Sequence, residues 1–137
     1  MAGYSGTPLI RKLGIKPGFR CAAPNAPDHY VDLLGPLPDG AEFLDDGSDL
    51  DFVHLFFMDA APFEEALPTW IPRIKPTGMI WISWPKKASK LQRDLNEDGI
   101  RGCALANGIV DVKVCAVDAT WSGLKLMIRT KDRPRRR

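Results

Sequence analysis

The run Asp51-Phe52-Val53-His54-Leu55-Phe56-Phe57-Met58 has the length of a strand and, past its first residue, a single polar side chain, His54. A strand with one wet face alternates polar and apolar residues. A continuous apolar run is buried on both faces, as in a parallel sheet covered by helices. Met79 to Trp84 has the same character. Between the two, Asp59 to Ile74 begins as a helix, with Pro62 in its first turn and Phe63, Ala66 and Leu67 on one face. Pro68 and Pro72 each remove a backbone donor and clash one turn back, so a kinked helix or two short pieces is expected. Strand, helix and strand in this order form a right-handed crossover between parallel neighbours.

Working outward toward the N-terminus, Phe19 to Ala23 and Ala41 to Leu44 read as two shorter strands, the second ending at Asp45-Asp46-Gly47. Pro27 to Leu34 lies between them as a short helix, with Asn25 as its cap and Gly35 as its stop. A first helix is marked by Thr7 as cap, Pro8 in the first helical position, the stripe Leu9, Ile10 and Leu13, and Gly14 at its end. Toward the C-terminus, Pro85 to Arg93 is a polar, basic connection. Asn96 caps a helix through Asn107, whose first turn holds Glu97 and Asp98 against the positive end of the dipole. Ile109 to Val117 and Trp121 to Arg129 are strands separated by Asp118-Ala119-Thr120, too few residues for a crossover, so they form an antiparallel hairpin. The fold expected is therefore an α/β, three-layer Rossmann-like sandwich. Its mostly parallel sheet has about six strands and ends in an antiparallel hairpin.

The 137 residues suit one domain, and 45% apolar with 26% charged residues is ordinary for a globular protein. No run of about 18 apolar residues occurs, and Met1 to Gly6 lacks a charged start followed by an apolar block. No membrane partner and a cytoplasmic location are expected. Cys21, Cys103 and Cys115 are odd in number and form no Cys-x-x-Cys, which points to reduced, buried thiols rather than a disulfide framework or a zinc ribbon. The last seven residues, Lys131 to Arg137, carry five positive charges and one negative, leaving 14 positive and 16 negative on the other 130. The basicity thus belongs to a tail, and the organisation expected is one domain over 1–130 followed by a flexible basic extension over 131–137. Four tryptophans and six phenylalanines are many for a core of this size; either the core absorbs them or some line a homodimer interface.

Ligands of open parallel sheets sit at the carboxyl ends of the strands. The residues leaving strands there include Asn25, Asp45, Asp59 and the motif Trp84-Pro85-Lys86-Lys87-Ala88-Ser89, joined by the turn Asp118 to Ser122 if the fifth strand is also parallel. A nucleotide-like cofactor needs glycines in the first of these turns, where the backbone must approach it closely. That turn reads Ala22-Ala23-Pro24-Asn25-Ala26-Pro27, with no glycine and two residues lacking an N–H. No cofactor is expected there, although Asp45 stands where a ribose-binding acid could sit. Lys86 and Lys87 could hold an anion as point charges, with Trp84 as a wall. Asn25, Ser89, Asp118, Trp121 and Ser122 complete the candidate ligand site. No catalytic residue and no metal site is assigned: His54 reads as a satisfied core histidine, and His29 with Asp28 and Asp32 offers too few ligands.

Tyr4 to Leu9, Leu13 to Gly18, Trp84 to Ser89, and Val112 to Asp118 followed by Thr120 to Leu124 together resemble a family of small bacterial proteins known as a domain of unknown function. The resemblance covers nearly the whole chain and implies no activity. The order of elements also resembles the class I methyltransferase fold shortened by one strand–helix unit, in which the last two strands form a hairpin. The chain departs from that fold's glycine-rich cofactor loop at Pro24 to Pro27, which argues against methyl transfer and S-adenosylmethionine binding. The reading preferred is a non-enzymatic Rossmann-like domain that binds a small anionic ligand or a partner. The alternatives are a divergent S-adenosylmethionine-dependent methyltransferase and an accessory nucleic-acid binder acting through Arg133 to Arg137.

Overall fold

In the computed structural model, which describes residues 8–45, 47–91 and 94–133, six strands form one sheet in the order β2-β1-β3-β4-β6-β5. The strands are β1 (Arg20–Ala22), β2 (Glu42–Phe43), β3 (Leu50–Phe56), β4 (Ile74–Pro85), β5 (Ile109–Ala116) and β6 (Trp121–Ile128). β2, β1, β3 and β4 are parallel; β6 lies antiparallel between β4 and β5. β5 is thereby parallel to β4, and the Asp118 turn falls on the carboxyl edge with the loops after β1, β2, β3 and β4. The mostly parallel Rossmann-like sandwich with its C-terminal hairpin is the fold expected from the apolar runs.

Helices cover both faces. α1 (Leu9–Leu13) and α2 (Tyr30–Leu34) lie on one side, over a cluster of Leu13, Cys21, Phe52, Phe56 and Trp81. α3 (Ala60–Trp70) and α4 (Glu97–Ala106) lie on the other, over Val53, Leu55, Ile80, Ile82, Trp84, Leu124 and Leu126. This alternation explains why Phe52–Phe56 and Met79–Trp84 are apolar apart from His54 and Ser83: successive side chains enter opposite layers, and both layers are dry. Among the described residues no helix is long and apolar enough to cross a membrane.

Local signals fixed most ends. Gly14 adopts φ 87° and closes α1, and Gly35 closes α2. The Asn96 side chain accepts from the Gly99 amide at 2.9 Å and caps α4 as expected. Several boundaries differ. Pro8 is the cap of α1 rather than its first helical residue, and Thr7 lies outside the described residues. Asn25 does not cap α2; His29 occupies that position without a side-chain capping bond. The amide of Ala60, at the start of α3, is satisfied at 2.7 Å by the carboxylate of Asp94 from the far connection, not by Asp59. Pro68 is absorbed inside α3, where it is exposed, and only at Ile71–Arg73 does the helix tighten into a 3-10 turn. β4 begins five residues before Met79, because Ile74 pairs in register with Leu50. The thiols are less uniform than expected: Cys21 is buried, while Cys103 and Cys115 are only half-buried. Lys131 and Asp132 form a 3-10 turn with Thr130, and Arg133 Nε donates to the Ile128 carbonyl at 3.1 Å. The remainder of the expected tail, 134–137, lies outside the described residues.

Candidate functional site

The carboxyl edge does gather most of the sequence-predicted site residues, but chiefly onto one another. Asn25, on the loop after β1, reaches over the end of β3: its Nδ2 donates to the Phe56 carbonyl at 2.7 Å, and its Oδ1 accepts from the Phe56 amide at 3.0 Å. The side chain acts as a short strand partner, fixing the loop across the sheet. Asp118 is buried and shares one oxygen, Oδ1, between the amides of Thr120 and Trp121, both at 2.8 Å. Its Oδ2 meets His29 Nε2 at 2.8 Å. Burial alone would raise the Asp118 pKa, but these bonds from His29, Trp121 and Thr120 more than offset it and hold the carboxyl below its ordinary range.

The segment after β1 is therefore latched at two points, to the end of β3 through Asn25 and to the β5–β6 turn through His29. Beside them a ring contact joins β3 to β6, in which Trp121 sits edge-on to Phe56 at 5.2 Å between centroids. The other candidates fall around this latch. The Lys86 amide donates to the Thr120 carbonyl at 2.8 Å, which joins the β4 end to the turn. Lys86 and Ser89 are half-buried, and Lys87 is exposed. Ser89 Oγ accepts from the Leu91 amide at 3.2 Å. Trp84 is no wall of an open site: it points into the α3/α4 layer and is buried in the core. Ser122, paired with Trp84 in register, points to that same layer and away from Trp121. Asp45 is exposed at the end of β2, and Asp46 lies outside the described residues.

The latch carries a testable division of energy. His29 is 51% exposed at its side chain, so its pairing with Asp118 is worth no more than about 1 kcal/mol. The two amides held by a buried carboxylate are worth more, about 2 kcal/mol together. Asp118→Ala is expected to lose at least twice the stability lost by His29→Ala in urea denaturation. Equal losses would place the energy in the ion pair instead.

Sequence reasoning did not find three features. His29 pairs with a residue 89 positions away, and nothing local marks such a contact. His54 is a core residue, as expected, but nothing local marks its partners. Its Nδ1 meets Tyr30 Oη at 2.8 Å and its Nε2 meets Ser83 Oγ at 2.7 Å, all within the α1/α2 layer. Burial pushes the His54 pKa down to about 3, so the ring is neutral, with one nitrogen donating and the other accepting. The third is a concavity of about 410 Å³ on the outer flank of α2, walled by Ala23, Ala26, Tyr30, Val31, Leu34 and Phe43. It lies beside the edge strand β2, away from Lys86 and Lys87, and its apolar character includes a Val31 that is 74% exposed.

The sheet order and this edge geometry define a methyltransferase-like Rossmann domain. No family model and no curated protein matches the chain. Solved structures match by fold. A possible exported protein from Bordetella parapertussis aligns at TM-score 0.65 and 11% identity, over 88% of this chain and 65% of that one. A SAM-dependent methyltransferase from Aquifex aeolicus aligns at TM-score 0.56 and 16% identity, over 88% of both chains. Magnesium protoporphyrin IX methyltransferase from Synechocystis PCC 6803, with bound SAM, aligns at TM-score 0.55 and 12% identity, over 88% of this chain and 74% of that one.

Proposed function

We propose that the chain is a ligand-binding domain on a methyltransferase scaffold, which takes a small anionic ligand at the carboxyl edge and catalyses no reaction. The observation that carries this reading is the paired hydrogen bonding of Asn25 to Phe56. It holds a proline-bearing, glycine-free loop across the place where a dinucleotide-like or methionine-derived cofactor would need close backbone approach. Lys86 and Lys87 supply cations at the same edge, and the half-buried Trp121 offers an indole beside them. The His29–Asp118 contact is weak enough to yield to an incoming ligand.

Calorimetric titration with S-adenosylmethionine and S-adenosylhomocysteine is expected to give no saturable heat. Inorganic phosphate and short dicarboxylates are expected to raise the melting temperature of the native chain but not of the Lys86→Ala/Lys87→Ala variant. Stoichiometric binding of S-adenosylmethionine would favour the second reading, a divergent methyltransferase, for which the fold shared with SAM-dependent methyltransferases speaks.

A further inference from the structure

The β5–β6 pair has one covered face and one half-covered face, where Trp121, Lys125, Met127 and Cys115 are half-buried and Lys113 is exposed. Leu124, Leu126 and Ile128 enter the layer beneath α3 and α4. Lys125 alternates with them and points to the other side, together with Trp121 and Met127. On that side α1 lies over β4, where Leu13 accepts from Trp81. Lys125 stands directly opposite Lys113 in the ladder. Like charges in that relation are destabilising, and Lys16 adds a third: burial, then Lys113 and Lys16, all push the Lys125 pKa down.

None of these three lysines has an ion-pair partner among the described residues. The carboxylates of the surrounding elements are engaged elsewhere, Asp111 with Arg101 at 3.1 Å, Asp118 with His29 at 2.8 Å and Asp132 with Arg129 at 3.4 Å. The fold thus bears a repulsive, partly desolvated cluster that returns nothing within the chain. A polyanion would relieve it. Trp121, half-buried and held edge-on against Phe56, shares the face, four residues along β6 and so about 13 Å from Lys125; its exposed part joins a stacking ring to phosphate-neutralising cations. That pairing is the chemistry of single-stranded nucleic acid recognition.

We propose that the half-covered face of the β5–β6 pair, bearing Lys16, Lys113, Lys125 and Trp121, binds single-stranded nucleic acid. This surface shares Trp121 with the ligand edge, but its lysines lie apart from Lys86 and Lys87, so Lys113→Glu tests it independently of that reading.

The test is fluorescence anisotropy of the full chain with labelled oligouridylate and oligothymidylate across a salt series. Salt-dependent binding is expected, and Lys113→Glu should weaken it about tenfold and lower the salt slope by about one to two. The same substitution turns a like-charge pair into an opposite-charge pair, so the variant should melt at a higher temperature than the native chain, which separates lost binding from lost folding. Trp121→Leu should weaken binding at high salt, where stacking dominates. Binding that survives Lys113→Glu and disappears only on removal of Arg133 to Arg137 would overturn the proposal in favour of the tail. Binding to phosphatidylserine vesicles or polyglutamate with none to either oligonucleotide would overturn it as well.

Discussion

Acidification from pH 6.5 toward pH 4 should lower stability by about 1.4 kcal/mol per pH unit through His54 alone. The native ring stays neutral down to about 3, against an ordinary value of 6.5. Between those values the unfolded chain binds a proton that the native chain refuses. The stabilisation is therefore complete above pH 6.5 and is lost as pH falls through the window toward 3. Urea denaturation at pH 7, 6, 5 and 4 measures it. His54→Gln removes the titrating group while keeping a donor and an acceptor near Tyr30 and Ser83, so its curve should be less stable at pH 7 but flatter. Asp118 does not confuse the window: its depressed pKa makes its contribution fade only below its ordinary value of 3.8. Parallel slopes in the two proteins would show that the ring is protonated in the native state.

Trp81→Ala should cost about 4 kcal/mol at neutral pH. The indole is fully buried, its Nε1 donates to the Leu13 carbonyl at 2.9 Å, and it lies against Gly123, where an added Cβ would stand 3.1 Å from the ring. The truncation opens a cavity beneath α1 and removes a side-chain bond that ties the end of that helix to the sheet. A helix of five residues has little stability of its own, so α1 should loosen with it. Trp81→Phe keeps most of the volume but leaves the carbonyl unsatisfied, and about 1–2 kcal/mol is expected. The measurement is urea denaturation, with amide exchange at Leu13 and Gly14 reporting the helix. A Trp81→Ala variant within about 1 kcal/mol of the native chain would mean that the layer closes over the gap.

The fold was legible because its signals are local. Continuous apolar runs at β3 and β4, Asn96 at the head of α4, glycines after α1 and α2, and a three-residue hairpin turn each act within a few positions. The start of β4 was hidden because the apolar run begins only at Met79, with Thr77-Gly78 before it reading as the end of the crossover; Ile74 pairing with Leu50 makes the preceding residues strand. Pro68 looked like a breaker because propensity cannot see that an exposed position tolerates the lost bond. The site was legible only in part. Topology rules brought Lys86, Asp118 and Trp121 to one edge, but strand parity sends Trp84 and Ser122 into the opposite layer. The bonds that define the latch, Asn25 to Phe56 and His29 to Asp118, join residues 31 and 89 positions apart. Chemistry at such separations is set by the assembled sheet and leaves no periodic trace.

The placement of β6 also governs when this sheet can be completed. The strand made last seats itself between two made earlier, and until residues 121–128 leave the ribosome the inner edge of β4 and the whole of β5 lack their neighbour. A nascent chain stalled before that point would carry two unpaired edges capable of joining other chains. The protein is thus assembled around a keystone, and its exposure to wrong strand pairing ends only when β6 is seated.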